Sequence, residues 1–222
     1  VPLTLLRLEA SHDFAVIEMG ANAGGEIAYT TALTEPDIAH ITCVAPTHVE
    51  GFGSLQGVAR GKSEIWQGLK AGGVAVLNLD DANVMDHYSP RAGVSAVTIS
   101  AAGKTSADYR LASVRDLGLA GSDFELQAPC GALRLMLDLP GLHNAANALA
   151  AAALALEAGA SLAQVRSGLE QMHSVKGRLV VKAGRNGSVI LDDTYNASPA
   201  SFKAAIDVLA TQKGLRIVVG GD

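Results

Sequence analysis

The sequence predicts an α/β fold, a mostly parallel doubly wound sheet with an antiparallel extension, followed by the start of a second α/β domain. Short apolar runs at 38–44, 73–81 and 94–100 alternate with helical patterns, which is typical of parallel strands joined by crossover helices. Three further strand-like runs between 109 and 139 follow one another without helices, which favours antiparallel pairing. Scarce aromatic residues (4%) and abundant alanine and glycine let helices pack close to a sheet.

Composition narrows the class of protein. The 222 residues suffice for one large α/β domain or for one and a fraction, and 49% of them are hydrophobic. A net charge of −5 without a basic run argues against a nucleic-acid surface. Cys43 and Cys130 make no disulfide framework, so we expect a reduced, cytoplasmic chain. The longest apolar run, 148–156, is too short to span a bilayer. The sequence begins at Val1, without an initiator methionine or a leader, so we expect it to be a piece of a longer protein.

The first candidate site residue closes an apolar run near the start of the chain. Residues 14–20 have a buried-strand pattern that ends on Glu18 and Gly20. A carboxylate at the tip of such a strand resembles the position from which nucleotide-binding α/β proteins reach a magnesium ion. The alternative is a solvated strand end. A turn after Asn22 then leads into a helix that begins near Glu26.

A second strand leads to a polar loop and a helix. The apolar run 38–44 predicts the strand, and the loop after it carries His48 and Glu50. Ser54 is the expected N-cap of a helix that runs to about Lys70. Apolar residues at spacings of three and four give this helix one buried stripe: Leu55, Val58, Ala59, Ile65, Trp66 and Leu69.

Lys62 lies in the middle of that stripe. An unpaired ammonium there is costly, so the lysine must find partners, shift its pKa or change chemically. A side chain that passes the stripe to reach water is the open alternative. The loop with His48 directly upstream favours a functional role, because α/β proteins bind ligands just past the carboxyl ends of their strands.

The tripeptide Gly103-Lys104-Thr105 resembles the end of a phosphate loop. We predict a surface turn there instead, because Thr98 stands where that motif needs glycine and a strand, not a helix, follows.

The alanine-rich helix at 141–157 carries Asn144 and Asn147 on one face of its first turn. These amides can cap the helix, or they can contact an adenine edge as donor and acceptor together. A capping box at Ser161 begins the next helix, which ends near Met172.

A linker at 174–178 separates this region from a new unit. Strands at 179–183 and 188–191 form a hairpin whose Asn186-Gly187 pair favours a type I′ turn. A polar segment at 192–199 then enters a helix with Pro199 at its first position, and the apolar run from Leu215 to Gly220 predicts a last strand.

The order and spacing of these motifs resemble the Mur ligases over essentially the whole chain. Folylpolyglutamate synthases and the diaminopimelate- or lysine-adding members usually carry other residues at 192–199, which favours the members that add D-alanyl-D-alanine. The strings that carry the resemblance are Glu18-Met-Gly-Ala-Asn22, Gly25-Glu-Ile27, His48-Val-Glu-Gly-Phe-Gly-Ser54, Lys62-Ser-Glu-Ile65, Gly141-Leu-His-Asn-Ala-Ala-Asn147, Lys176-Gly-Arg178 and Asp192-Asp-Thr-Tyr-Asn-Ala-Ser-Pro199.

The resemblance implies an ATP-dependent ligase that joins D-alanyl-D-alanine to UDP-N-acetylmuramoyl-tripeptide through an acyl phosphate, in peptidoglycan precursor synthesis. Such a protein would be cytoplasmic and monomeric, without nucleic-acid or membrane partners. The implied domains are a central ATP-binding domain at 1–173, without its phosphate loop, the linker at 174–178, and the truncated start of a Rossmann-like domain at 179–222.

The resemblance also implies roles for individual residues. Glu18 and His48 would hold Mg²⁺ at two sites, together with Lys62, which the family carbamylates. Arg178 would reach the γ-phosphate of ATP. The remaining expected contacts are with the nucleotide, by His143, Asn144 and Asp193, and with the incoming dipeptide or the nucleotide, by Tyr195, Asn196 and Ser198.

The sequence departs from the family pattern at both ends. It has no glycine-rich phosphate loop and no UDP-binding domain, and its last domain stops at Asp222, so we expect the chain by itself to be inactive. The competing hypothesis is a degenerate, non-catalytic module of the same fold. A Gly-Lys-Thr/Ser segment encoded upstream of Val1 would favour the enzyme.

Overall fold

The computed structural model describes residues 1–47 and 49–221. They fall into two compact units, the first made of residues 1–100 and 106–108, the second of residues 101–105 and of the chain from 109 onward. In the described part of the chain, no helix combines the length and apolar character that crossing a membrane requires.

A parallel three-stranded arrangement organises unit 1. Its strands are β1 (Ile38–His40), β2 (Val74–Asn78) and β3 (Ser95–Ser100), with β2 in the middle. The register aligns Ala39 with Ala75 and Val76 with Val97. The parallel pairing and the α/β class predicted from the alternating pattern are confirmed.

Helices connect these strands and cover their apolar core. The Ser54 hydroxyl accepts a hydrogen bond from the Gly57 amide at 3.0 Å, which confirms the predicted N-cap. The helix after Ser54 changes to a 3-10 helix at Glu64, so its α-helical part ends before the predicted limit at Lys70. The helices of unit 1 are α1 (Pro2–Leu5), α2 (Glu26–Thr34), α3 (Val49–Phe52), α4 (Leu55–Ser63), the 3-10 helix Glu64–Gly68 and α5 (Ala82–Asp86).

Two strand predictions are wrong and two are too long, one of them the strand predicted at 73–81, which ends at Asn78. Residues 14–20 in unit 1 and 215–220 in unit 2 form no strand, and Val16 and Val219 are 96% and 89% exposed. An extended segment is stable only beside a partner strand that pairs its backbone and covers its side chains, and neither stretch has one among the described residues. The strand predicted at 38–44 ends at His40 for the same reason, because β2 pairs with it only over residues 38–40.

Unit 2 contains an antiparallel ribbon, as the sequence predicts. The strands β4 (Tyr109–Asp116), β5 (Ser122–Ala128) and β6 (Gly131–Leu137) pair in chain order, and a 3-10 helix (Gly118–Ala120) joins the first two. Gly121 has φ +92°, and a Cβ there would lie 1.8 Å from the Leu137 carbonyl oxygen. Only glycine therefore allows this tight crossing of the ribbon.

Two helices cover the ribbon. They are α6 (Leu142–Glu157), which packs on β4 and β5, and α7 (Leu162–Glu170), which packs on β6. The buried face of α6 is mostly alanine, so the helix can lie close to the sheet, where Phe124 and Leu126 are almost fully buried. The predicted capping box at Ser161 is confirmed, because its hydroxyl accepts from the Gln164 amide.

The last part of unit 2 is a hairpin and a helix. The strands β7 (Val180–Ala183) and β8 (Val189–Asp192) pair across a 3-10 turn, Arg185–Gly187, and α8 (Pro199–Ala210) follows. Asn186 and Gly187 have φ angles of +53° and +75°, the left-handed conformation that a type I′ turn requires at both central positions. The hairpin, its turn and the position of Pro199 at the start of α8 are confirmed.

Candidate functional site

In unit 1, the loop after β1 is anchored by side chains from three directions. The Asn78 side-chain amide donates to the Thr42 carbonyl at 3.0 Å, and the Lys62 ammonium donates to the Cys43 carbonyl at 2.9 Å. The Asp81 carboxylate accepts from the Val44 amide at 2.6 Å. Three consecutive backbone groups are therefore satisfied without a strand partner, which fixes the loop that leads towards position 48.

Lys62 is neither unpaired nor deeply buried. Its neighbours Val58 and Ala59 are 1% and 0% exposed, whereas Lys62 lies at the edge of the buried face and is partly exposed. Of the outcomes expected for a lysine in the apolar stripe, the structure shows a hydrogen-bond partner together with partial access to water. Its amine reaches the Cys43 carbonyl because α4 passes beside the end of β1, a tertiary contact across 19 positions of sequence.

The other predicted metal ligands are not brought together in the described part of the chain. Glu18 is exposed on the irregular stretch before α2, and His48 lies outside the described residues. Among residues 1–47 and 49–221, no group of three His, Cys, Asp or Glu side chains could hold a metal ion. Because His48 is not among these residues, the metal-binding roles of Glu18, His48 and Lys62 stay predictions.

Asn78 and Asp81 were not among the predicted site residues. Asp81 also caps α5, because its second carboxylate oxygen accepts from the Asn83 amide at 3.0 Å. The signal in the sequence was the change from apolar to polar residues at the end of β2, where a parallel sheet presents its ligand-binding edge.

In unit 2, the predicted linker packs against the segment after β8. The Arg178 guanidinium lies 4.4 Å from the centre of the Tyr195 ring, a cation–π geometry. The Tyr195 amide donates to the Gly177 carbonyl at 3.0 Å, and the Leu179 amide donates to the Asp193 carboxylate at 3.1 Å. The structure therefore brings together Arg178, Asp193 and Tyr195.

Backbone conformation supports this cluster on both sides of Arg178. Gly177 has φ +75°, and a Cβ there would lie 2.9 Å from the Tyr195 nitrogen. Leu179 also has a positive φ, +49°, although its side chain is 5% exposed. A left-handed leucine is strained, and its burial and its hydrogen bond to Asp193 hold it in place.

His143 is the next predicted nucleotide contact and lies near the same segment. Partial burial of the ring lowers the pKa of its imidazole, although the residue as a whole is exposed, and the charge of Asp193 opposes this shift. The ring packs over Gly141, where a Cβ would lie 2.5 Å from the imidazole. The neutral imidazole therefore predominates at neutral pH, with one donor and one acceptor nitrogen.

Asn144 and Asn147 have partners within the first turn of α6. The Asn144 amide nitrogen donates to the Pro140 carbonyl at 2.8 Å, and its oxygen accepts from the Asn147 side chain at 3.4 Å. These bonds correspond to the structural alternative, in which the amides hold the start of the helix. An adenine contact by Asn144 would use the second hydrogen of its nitrogen and the second lone pair of its oxygen, and it stays a prediction.

The remaining predicted contacts, Asn196 and Ser198, are also engaged locally. The Asn196 side chain accepts from the Ala197 amide at 2.8 Å, and Ser198 forms a capping box with Ser201 at the start of α8. Tyr195 is 66% exposed. Asp192, which was not predicted, accepts from the Thr194 hydroxyl and pairs with Lys182. These contacts lower the pKa of Asp192 to about 2, so this carboxylate stays charged and fixes the turn that presents Tyr195.

Comparison with known proteins identifies the family of the chain and several named relatives. Residues 1–155 match the Mur ligase middle domain family. The chain is 43% identical over 222 residues to the UDP-N-acetylmuramoyl-tripeptide–D-alanyl-D-alanine ligase of Escherichia coli, and 45% identical to that of Haemophilus influenzae. The alignments cover the whole chain but 49% and 47% of those proteins, so the chain spans about half the length of these relatives.

Solved structures show the same similarity in three dimensions. A crystal structure of MurF from Acinetobacter baumannii superimposes with a TM-score of 0.90 at 34% identity, covering 97% of this chain and 46% of that one. MurF from Thermotoga maritima in complex with ADP superimposes with a TM-score of 0.76 at 26% identity, covering 91% of this chain and 47% of that one.

Proposed function

The chain belongs to the Mur ligase family, and from this premise we propose that it is the catalytic middle part of an ATP-dependent ligase that joins D-alanyl-D-alanine to UDP-N-acetylmuramoyl-tripeptide. One observation carries the proposal: the relatives that align over the whole chain at 43% and 45% identity bear the name of this ligase. The activity belongs to peptidoglycan precursor synthesis, and we place the protein in the cytoplasm, where these precursors are made.

The proposed reaction has two steps. A carboxylate oxygen of the tripeptide first bonds to the γ-phosphorus of ATP, and the bond to the β-phosphate oxygen breaks to release ADP. The amine of D-alanyl-D-alanine then attacks the carbonyl carbon of the acyl phosphate, inorganic phosphate leaves, and the nitrogen loses a proton. Both steps build negative charge on oxygen atoms, which a positioned cation stabilises.

Arg178 is the cation that we assign to this role. In the described part of the chain it forms no ion pair, and its side chain is held by the Tyr195 ring. A guanidinium on an aromatic face keeps its donors available at the ring's edges, so it can contact phosphate oxygens without first breaking a salt bridge. Support for ATP as the substrate comes from the similarity to the ADP-bound Thermotoga maritima protein.

The cluster around Arg178 would also position the nucleotide. Asp193 and His143 lie beside the linker, where a carboxylate and a neutral imidazole can contact the hydroxyl and ring nitrogen atoms of a nucleoside. Asn144 would contact the adenine, and Tyr195, Asn196 and Ser198 would face the dipeptide or the nucleotide.

In unit 1 we assign Lys62 to the anchored loop. Its bond to the Cys43 carbonyl holds the backbone that leads to position 48, and this role needs only the amine. The two Mg²⁺ sites and the carbamate on Lys62 are further proposals that rest on the family resemblance. Infrared or ¹³C NMR measurement of a carbamate after incubation with labelled bicarbonate would test the modification.

We also propose that residues 174–178 link two domains, at 1–173 and from 179 onward. This segment contains Lys176 and Arg178 between α7 and β7. Limited trypsin digestion should therefore cut after the exposed Lys176 before it cuts between the two proposed domains elsewhere, and should leave a stable fragment that ends there. First cleavage in the β4–β6 ribbon instead would contradict the boundary.

The decisive assay uses the protein as expressed from its gene. We expect ADP release that requires both UDP-N-acetylmuramoyl-tripeptide and D-alanyl-D-alanine, with one amide formed for each ADP. Release with L-alanine or D-glutamate as the amine, and none with the dipeptide, would assign another member of the family. No nucleotide turnover with any amine would favour the degenerate module.

A further inference from the structure

A surface cleft of about 540 Å³ lies in unit 1, apart from the residues assigned to the ligase reaction. One wall comes from α4 and the 3-10 helix, with Arg60, Ser63 and Trp66. The other comes from the loop after α5, with His87 and Arg91. The cleft thus brings two arginines, Arg60 and Arg91, to the same concave surface as several side chains that can form hydrogen bonds.

Two polar groups in this lining lack partners. The Ser63 hydroxyl and the Trp66 indole nitrogen are buried and make no hydrogen bond to any described residue. Ser63 and Trp66 are 9% and 5% exposed. A helical serine commonly donates to the carbonyl four residues earlier, and a buried tryptophan normally finds an acceptor. Two such groups beside one cleft indicate a missing acceptor-rich partner.

The arginines are arranged to receive an anion. Arg60 is exposed and has no ion pair within the described ranges. Arg91 donates from one terminal nitrogen to the Leu69 carbonyl at 2.9 Å and also to the Gln67 carbonyl, which fixes the guanidinium and leaves its other nitrogens free. A fixed guanidinium beside a free one is suited to an oxyanion.

The lining contains one carboxylate, Glu64, against two guanidinium groups. The Glu64 carboxylate accepts from the Gly25 amide at 2.8 Å and from the Ala28 amide at 3.0 Å, so it is held at the start of α2. One nitrogen of His87 bonds to the Asn83 carbonyl. The cleft therefore keeps an excess of positive charge and donors.

We propose that this cleft binds a small tetrahedral oxyanion, either inorganic phosphate or the phosphoryl group of a monoester. The anion would accept from Arg60, from the free edge of Arg91 and from the Ser63 hydroxyl, with Trp66 beneath it. The inference does not depend on the ligase assignment, because it uses no residue of that site.

Trp66 is the single tryptophan of the chain, so its fluorescence reports on this cleft directly. We expect phosphate to cause a saturable change in emission that sodium chloride of equal ionic strength does not cause. Arg60→Gln and Ser63→Ala should each weaken the apparent affinity, by about tenfold for the charged contact. Arg7→Gln, which removes an exposed charge elsewhere in unit 1, is the matched control and should bind as the wild type does.

Two comparisons make the test specific. Saturation at lower concentration by glycerol 3-phosphate than by phosphate assigns a monoester, and the reverse order assigns the free ion. Arg178→Gln should leave the emission change intact, which separates this cleft from the nucleotide site. The proposal is overturned if chloride reproduces the change, if Arg60→Gln and Ser63→Ala bind as tightly as Arg7→Gln, or if no saturable change occurs because only water fills the cleft.

Discussion

The anchored loop of unit 1 and the linker cluster of unit 2 use their polar side chains in opposite ways. In the loop at 42–44, the side chains of Asn78, Lys62 and Asp81 all hold backbone atoms. In the cluster, the Arg178 guanidinium lies on the Tyr195 ring and has no ion pair with any described residue, and Tyr195 is largely exposed. The first region is a preorganised support, whereas the second keeps its charge available. Under the proposed ligase function, we therefore expect the two regions to fail differently when they are changed.

The largest effect is expected at Lys62, whose substitution tests whether the loop at 42–44 is only a support. Lys62→Ala in the protein as expressed from its gene should lower kcat by about 10³-fold, because the loop loses its anchor at Cys43. If the amine acts only as an anchor, Lys62→Arg restores most of the rate and added carboxylic acids restore none.

The carbamate proposal predicts the reverse pattern at the same position. Bicarbonate or a short carboxylic acid would then partly restore Lys62→Ala, and Lys62→Arg would stay inactive. Steady-state ADP release measures both patterns. Wild-type activity in Lys62→Ala would discard both roles.

Arg178 should give the next largest effect, confined to turnover. Arg178→Ala should lower kcat about 10²-fold and leave the KM for D-alanyl-D-alanine nearly unchanged, because the guanidinium acts on charge that develops on the phosphate. Arg185→Ala, in the exposed hairpin turn, is the control and should be silent. A rise in the dipeptide KM alone would place Arg178 in substrate binding instead.

Asp81 tests the supporting role of the same loop through the stability of the fold rather than through the rate of the reaction. Asp81→Ala removes the acceptor of the Val44 amide and the cap of α5, so we expect a loss of roughly 1–3 kcal/mol in the free energy of unfolding. Asp86→Asn, an exposed carboxylate at the end of the same helix, should cost nothing, since a negative charge is unfavourable there. Urea denaturation followed by circular dichroism measures both. Equal losses would show that Asp81 has no anchoring role.

The smallest effect is a pH dependence at His143. Because burial lowers its pKa below the unfolded value of 6.5, the unfolded chain binds the proton more readily. The stabilisation from the neutral ring is therefore complete above pH 6.5 and decreases as the pH falls below it. His143→Gln should reduce this slope of unfolding free energy between pH 7 and pH 5. An unchanged slope would assign it to other groups.

Local features and the type of strand pairing could be predicted from the sequence, whereas individual long-range contacts could not. Ser54, Ser161 and the Asn186-Gly187 turn were predicted correctly because capping and turn geometry depend on a few neighbouring residues. The strands predicted at 14–20 and 215–220 were wrong because a short apolar run says nothing about whether a partner strand lies beside it.

The same limit applies to the candidate sites. Residues such as Arg178, Asp193 and Tyr195 could be named from short strings, and the structure brings them together. The partner of Lys62 could not be predicted, since the Cys43 carbonyl is a backbone group that every residue possesses. Only the path of α4 beside the end of β1 selects it.

The conformation of Leu179 limits where the linker can be lengthened. The backbone turns at Leu179, directly after Arg178, and the side chain of this residue is buried. Packing of the leucine therefore fixes the direction of the turn, whereas a glycine would allow several directions. Flexible inserts placed before Lys176 should be absorbed, whereas the same inserts between Arg178 and Val180 would turn the hairpin away from its guanidinium. Extra residues can thus be inserted before Lys176 but not between Arg178 and Val180.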